Sequence, residues 1–182
     1  MCNIQGLARM FCGHIPTLEM VELQAKYDAL VAVTTPPSPP FPDQIEVLES
    51  GPLLALLTET FPTYRDKIFI SDRQYLITSI DQIRVFIDWD NTNTFKYQAE
   101  IKDCDDFALA LAGSFAKYPG WSGFPCTYVW GNYGIGPHAF AIVVAWPSLE
   151  ERVPTLYFIE PQTDHEIAQE TVEGMELMLL PM

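Results

Sequence analysis

The sequence predicts an α+β domain in which one buried helix packs on an antiparallel sheet, and two observations carry that prediction. The first is the run from Cys104 to about Lys117. Past its first turn, Phe107, Leu109, Leu111, Phe115 and the alanines between them leave no polar face, and a helix of that kind belongs in an interior. Asp103 stands where it can cap this helix. The second is a change of period: Cys126 to Trp130, His138 to Trp146 and Leu156 to Ile159 are rich in Val, Ile, Tyr, Phe and Trp, and Gly and Pro turns separate them. A helix followed by strands on short connections is an α+β order.

The elements ahead of that helix are predicted in chain order. Thr17 to Val33 spaces Leu18, Val21, Leu30 and Val33 among charges as an amphipathic helix does. It stops at Thr34 to Pro42, where five prolines among nine residues enforce an extended strap. Ile45 to Thr60 reads as a second helix around Leu53, Leu56 and Leu57, closed by Phe61 and Pro62. Ile68 to Ile70 reads as a strand. Ser79 can cap a helix in which Ile80, Ile83 and Ile87 share a face and Asp81 complements the dipole. The division expected from this pattern is a helical extension with its proline strap over residues 1–67 and a core over residues 68–182.

Composition bounds the function. At 182 residues, 48% hydrophobic and 19% charged, the chain can build one sizeable core. Ten basic against twenty-four acidic residues give a charge of −14, which repels phosphate backbones and anionic bilayers, so neither nucleic acid nor a membrane is an expected partner. Cys2, Cys12, Cys104 and Cys126 are too few and too irregular for a disulfide framework or a paired zinc motif. The first thirteen residues carry Arg9 and no long apolar run, so no signal peptide or span is readable and a cytoplasmic location is expected.

Three residues have the types and places that nucleophilic chemistry requires. Cys104 falls in the first turn of the apolar helix, where unpaired amides and the macrodipole favour a thiolate; Cys126, opening a strand, reads as structural. Of the three histidines, His138 opens the most apolar strand after the turn residues Gly134, Gly136 and Pro137, and it suits a base. Glu160 ends the next strand and precedes Pro161, a defined point from which a carboxylate can orient the imidazole. The Cys104 amide and Gln98, six residues upstream (104 − 98), are the candidate donors to an oxyanion.

Lys102-Asp103-Cys104-Asp105-Asp106-Phe107-Ala108, then Pro137-His138-Ala139-Phe140, then Phe158-Ile159-Glu160-Pro161-Gln162-Thr163 together resemble the cysteine-protease domain at the C-terminus of fungal ricin-type agglutinins. The similarity to bacterial transglutaminase-like cysteine peptidases is looser. It covers about Ile68 to Met182, and no three strand-rich repeats of a β-trefoil precede it. The resemblance implies a papain-like or transglutaminase-like fold, catalytic roles for Cys104, His138 and Glu160, and dependence on calcium.

Calcium also has a motive in the residues themselves. Asp103, Asp105 and Asp106 surround Cys104, and their charge opposes a thiolate unless a hard cation binds their oxygens, with Glu100 and Asn132 as further ligands. The expected function is thus a cysteine peptidase-like hydrolase acting on a protein or peptide through a Cys-His-Glu triad and an acyl-enzyme. Two alternatives stand beside it: acyl transfer or deamidation of the transglutaminase type, and a non-catalytic binding protein on the same scaffold.

Overall fold

A computed structural model describes residues 18–34, 38–132 and 136–173. Cys2, Cys12 and His14 lie outside them, as do residues 35–37 of the strap. The chain divides into two compact units, Met1–Ser38 and Pro39–Met182. In the first, α1 (Leu18–Thr34) is the helix the sequence predicts, with Met20, Val21, Leu23 and Tyr27 exposed.

The second unit holds β1 (Glu46–Glu49), α2 (Ser50–Thr60), β2 (Gln74–Ile77), α3 (Ile80–Asp90), α4 (Cys104–Lys117), β3 (Cys126–Asn132), β4 (Pro137–Ala145), β5 (Thr155–Glu160), β6 (His165–Ile167) and α5 (Gln169–Glu173). β1 and β2 pair as a separate antiparallel ribbon, and β3-β4-β5-β6 form an antiparallel sheet in that order. The class is α+β, as predicted. Its division falls at Ser38, not Ile68, because β1 and α2 belong to the core: Leu48, Leu53 and Phe61 are buried against it.

The apolar run of β4 follows from its place. With a period of two, Phe140, Ile142 and Val144 face one cluster with Leu53, Phe61 and Phe158, while Ala141, Val143 and Ala145 face another with Ile83, Phe86, Leu111 and Phe115. A strand covered on both faces has no position for a polar side chain.

Three local expectations are corrected. Residues 46–49 are strand, not helix, because Glu46 to Glu49 pair with Gln74 to Ile77. Residues 68–70 are not a strand; the pairing edge lies further on, in β2. And α4 is buried on one face only: Phe107, Ala108, Leu111 and Phe115 are covered, but Leu109 is 54% exposed. Beside Leu109 the exposed positions of α4 include Gly113 and Ala116, whose small apolar area costs little in water.

The strap end at Pro39 to Gln44 is fastened by backbone bonds. Trp121 Nε1 donates to the Pro40 carbonyl at 2.8 Å and Thr78 Oγ1 to the Gln44 carbonyl at 2.6 Å. The Phe41 ring lies over Gly120, where φ is 93° and a Cβ would stand 2.3 Å from that ring, so only glycine fits.

Candidate functional site

The site assembles where α4 begins and β4 and β5 meet. Asp103 caps α4 with a reciprocal box: its side chain accepts from the Asp106 amide, and the Asp106 carboxylate accepts from the Asp103 amide at 3.2 Å. Cys104, next in the chain, is half-buried and receives the backbone N–H of Ala139 from β4.

His138 is set by strand register. It pairs with Gly131 of β3, and one step past the Ala141–Ile159 pair, Glu160 becomes its diagonal neighbour on the same face. His138 Nε2 and Glu160 Oε2 are 2.5 Å apart. The other carboxylate oxygen, Oε1, accepts from the Gln162 amide at 3.1 Å, and the Glu160 carbonyl accepts from the Thr163 and Asp164 amides. That turn fixes both ends of the glutamate, and Asp164 completes it in the left-handed region with φ 59°.

The structure therefore brings His138 and Glu160 into contact and sets Cys104 beside the residue that follows His138. Gln98 is placed differently. Its backbone pairs with Lys102, closing a tight loop through Glu100 at φ 61°, and its side chain is exposed. Three features were missed from sequence: the Ala139 amide, the Gln162 amide, and an exposed aromatic loop ahead of α4. In that loop Tyr97 and Ile101 are exposed, Phe95 packs at a tilt of 55° against Phe107 of α4 with centroids 6.0 Å apart, and Lys102 Nζ lies 3.4 Å over the Phe95 ring. Only the excess of aromatics over Phe95 to Ile101 hinted at it.

Burial pushes the Cys104 thiol above its ordinary value. The Ala139 amide acts against this, and the charges of Asp103 and Asp105 add to it. Asp105 is also raised, first by a hydrogen bond shared with Asp103 and then by burial.

The calcium set fits poorly. Asp103, Cys104 and Asp105 place ligand atoms within 4.8 Å of one another, but one of the three is a soft thiol, and both Asp103 and Asp106 are engaged by the capping box. A hard cation takes six to eight oxygens. Asp103 and Asp106 serve this helix end as its cap.

Asp164 carries a pH dependence. Burial, with Asp88 and Asp90 nearby, raises it to about 6 against the favourable charge of His165, and Asn93 Nδ2 donates to its carboxylate. The folded state therefore binds a proton that the unfolded chain has released above an ordinary value of 3.8. Stability from this group is fully present at acid pH and is lost as pH rises through about 6. Asp164→Asn keeps the left-handed turn and the Asn93 contact. It is expected to raise Tm at pH 7 by about 2 °C, after discounting for solvent screening, and to leave Tm at pH 4 unchanged. Thermal unfolding at the two pH values checks it.

No protein-family model and no curated protein matches the sequence. Solved structures do match the fold. One, described as a PSL1a–E64 complex, superposes with a TM-score of 0.57 at 24% identity over 72% of this chain and 49% of the other. Another is Polyporus squamosus lectin bound to the human-type influenza-binding epitope Neu5Aca2-6Galb1-4GlcNAc, with a TM-score of 0.56 at 25% identity over 72% of this chain and 48% of the other. This chain thus spans about half the length of the solved chains it matches. The likeness to a fungal lectin agrees with the agglutinin side of the resemblance and overturns its enzymatic side. The expected cysteine peptidase-like hydrolase, with its protease and metal-binding character, is corrected, because a solved structure that shares the fold is a lectin. Among the described residues no helix is long and apolar enough to cross a membrane.

Proposed function

We propose that this chain is a non-catalytic carbohydrate-binding module whose site is the cleft at the start of α4. The likeness to a lectin in complex with a glycan is the observation that carries this reading. A saccharide presents C–H faces that pack on aromatic rings and hydroxyls that require both donors and acceptors. Tyr97 supplies an exposed ring, and His138, Glu160 and the Cys104 thiol supply the polar groups. The paired His138 and Glu160 are held in one geometry by the Gln162 amide, so little ordering accompanies binding.

Charge selects among saccharides. With a chain charge of −14 and Asp103, Asp105 and Glu160 at the cleft, a neutral sugar is favoured over a sialylated one. Calorimetric titration with Galβ1-4GlcNAc and with its Neu5Acα2-6 derivative tests this. Saturable binding, tighter for the neutral disaccharide and lost in His138→Ala, is the expected result; absence of saturation with either sugar contradicts it.

A further inference from the structure

A second site lies away from the cleft. Between the two halves of the core, a half-open cavity of about 330 Å³ is enclosed by Leu53 and Leu57 of α2, Ile142 and Val144 of β4, and Ala112 and Phe115 of α4. None of Cys104, His138 and Glu160 lines it. Its volume lies at the lower end of the range that holds small ligands, and its wall is mostly apolar. The space exists because α4 turns Ala112 and Ala116, one helical turn apart, toward α2, where larger side chains would close it.

The mouth is chemically different from the wall. It is the segment Phe69 to Tyr75, whose loop is organised by the Tyr75 hydroxyl: Tyr75 Oη accepts from the Asp72 amide at 3.1 Å and lies 3.4 Å from Ser71 Oγ. Ser71 Oγ donates to Asp72 Oδ2 at 3.2 Å, which turns the carboxylate and leaves Oδ1 as its other acceptor. Asp72 is the charged residue among the lining residues, Arg73 of the same segment not lining the cavity, so a ligand whose polar end meets Asp72 meets a negative charge over an apolar well. The Gln74 amide beside it is turned toward Glu49, to which its Nε2 donates at 2.7 Å.

We propose that this cavity binds a small apolar amine: an aromatic or branched aliphatic body within the well and a protonated amino group at Asp72. The anionic counterpart is disfavoured twice, by Asp72 at the mouth and by the surplus of acid on the chain. The saccharide cleft plays no part in this site, so the two readings stand or fall separately.

Calorimetric titration of the full chain with 2-phenylethylamine, and with 3-phenylpropanoate as the anion of similar shape, tests the assignment. The amine is expected to bind at one site per chain and the anion not to bind. Asp72→Asn, in an exposed loop, weakens the amine about fivefold. Ala116→Leu and Ala112→Leu each abolish binding by filling the well, and an unchanged or raised Tm for either shows that the fold is intact. Equal binding of amine and anion, binding that survives a folded Ala→Leu variant, or no binding of the amine to the parent chain overturns the proposal. His138→Ala leaves amine binding unchanged, which separates this site from the cleft.

Discussion

Exchanging Glu160 for alanine is expected to weaken saccharide binding at the α4 cleft at least about tenfold while moving Tm by no more than a few degrees. The carboxylate accepts from His138 through Oε2 and from the Gln162 amide through Oε1, so its removal leaves the imidazole without its 2.5 Å partner and releases the turn that follows β5. A hydrogen bond to a charged group contributes about 1.5–3 kcal/mol, and a tenfold loss corresponds to the low end of that range. The stability effect stays small because Ile159 and Phe158, which anchor β5, remain in place. Glu160→Gln keeps an acceptor oxygen in the same position and is expected to recover most of the affinity. Equal affinity of the alanine variant and the parent would remove Glu160 from the site.

The largest expected loss of stability lies elsewhere, at Phe86. This side chain on α3 is fully buried, with ring centroids 4.4 Å from both Phe115 and Trp121 and 5.8 Å from Trp89. Phe86→Ala deletes a ring that joins α3, α4 and the loop before β3, and the remaining aromatics are too large and too constrained to collapse into the space. Substitutions of this type cost about 3–5 kcal/mol, or about 10 °C in Tm for a domain of this size. Val85, its neighbour on the same helix, is 48% exposed, so Val85→Ala is expected to stay within about 0.5 kcal/mol. Denaturant titration of the two variants measures the difference; similar losses for both would mean that the α3 face is assigned wrongly.

The parts of the fold that were legible are those in which neighbouring residues determine the outcome. β3, β4 and β5 carry runs of β-branched and aromatic residues long enough to exclude a helix, and Asp103 marks the start of α4 as its cap. β1, β2 and β6 were not legible because each has only three or four residues, and for β1 and β2 partners distant in sequence decide the pairing, as Glu46 with Ile77. The solvent face of α4 was misread for another reason. Alanine and glycine count as apolar by type but are indifferent to water by area, so an all-apolar sequence did not imply burial on all sides.

The site shows the same division. That Cys104, His138 and Glu160 would gather at one end of the sheet was readable from a helix start, a strand start and a strand end. The electrostatic state of the thiol was not, because it depends on burial and on the Ala139 amide, which belongs to a strand more than thirty residues away. The sequence also left a binding protein and an enzyme both open on one set of residue types, and the proposed binding reading rests on the likeness to a lectin.

Mass spectrometry of a diverse peptide library incubated with the chain, beside a Cys104→Ala control, tests the central claim most directly. A non-catalytic binding module predicts no cleavage product above the control at any time point. Product that accumulates with time in the parent and is absent from Cys104→Ala would contradict it.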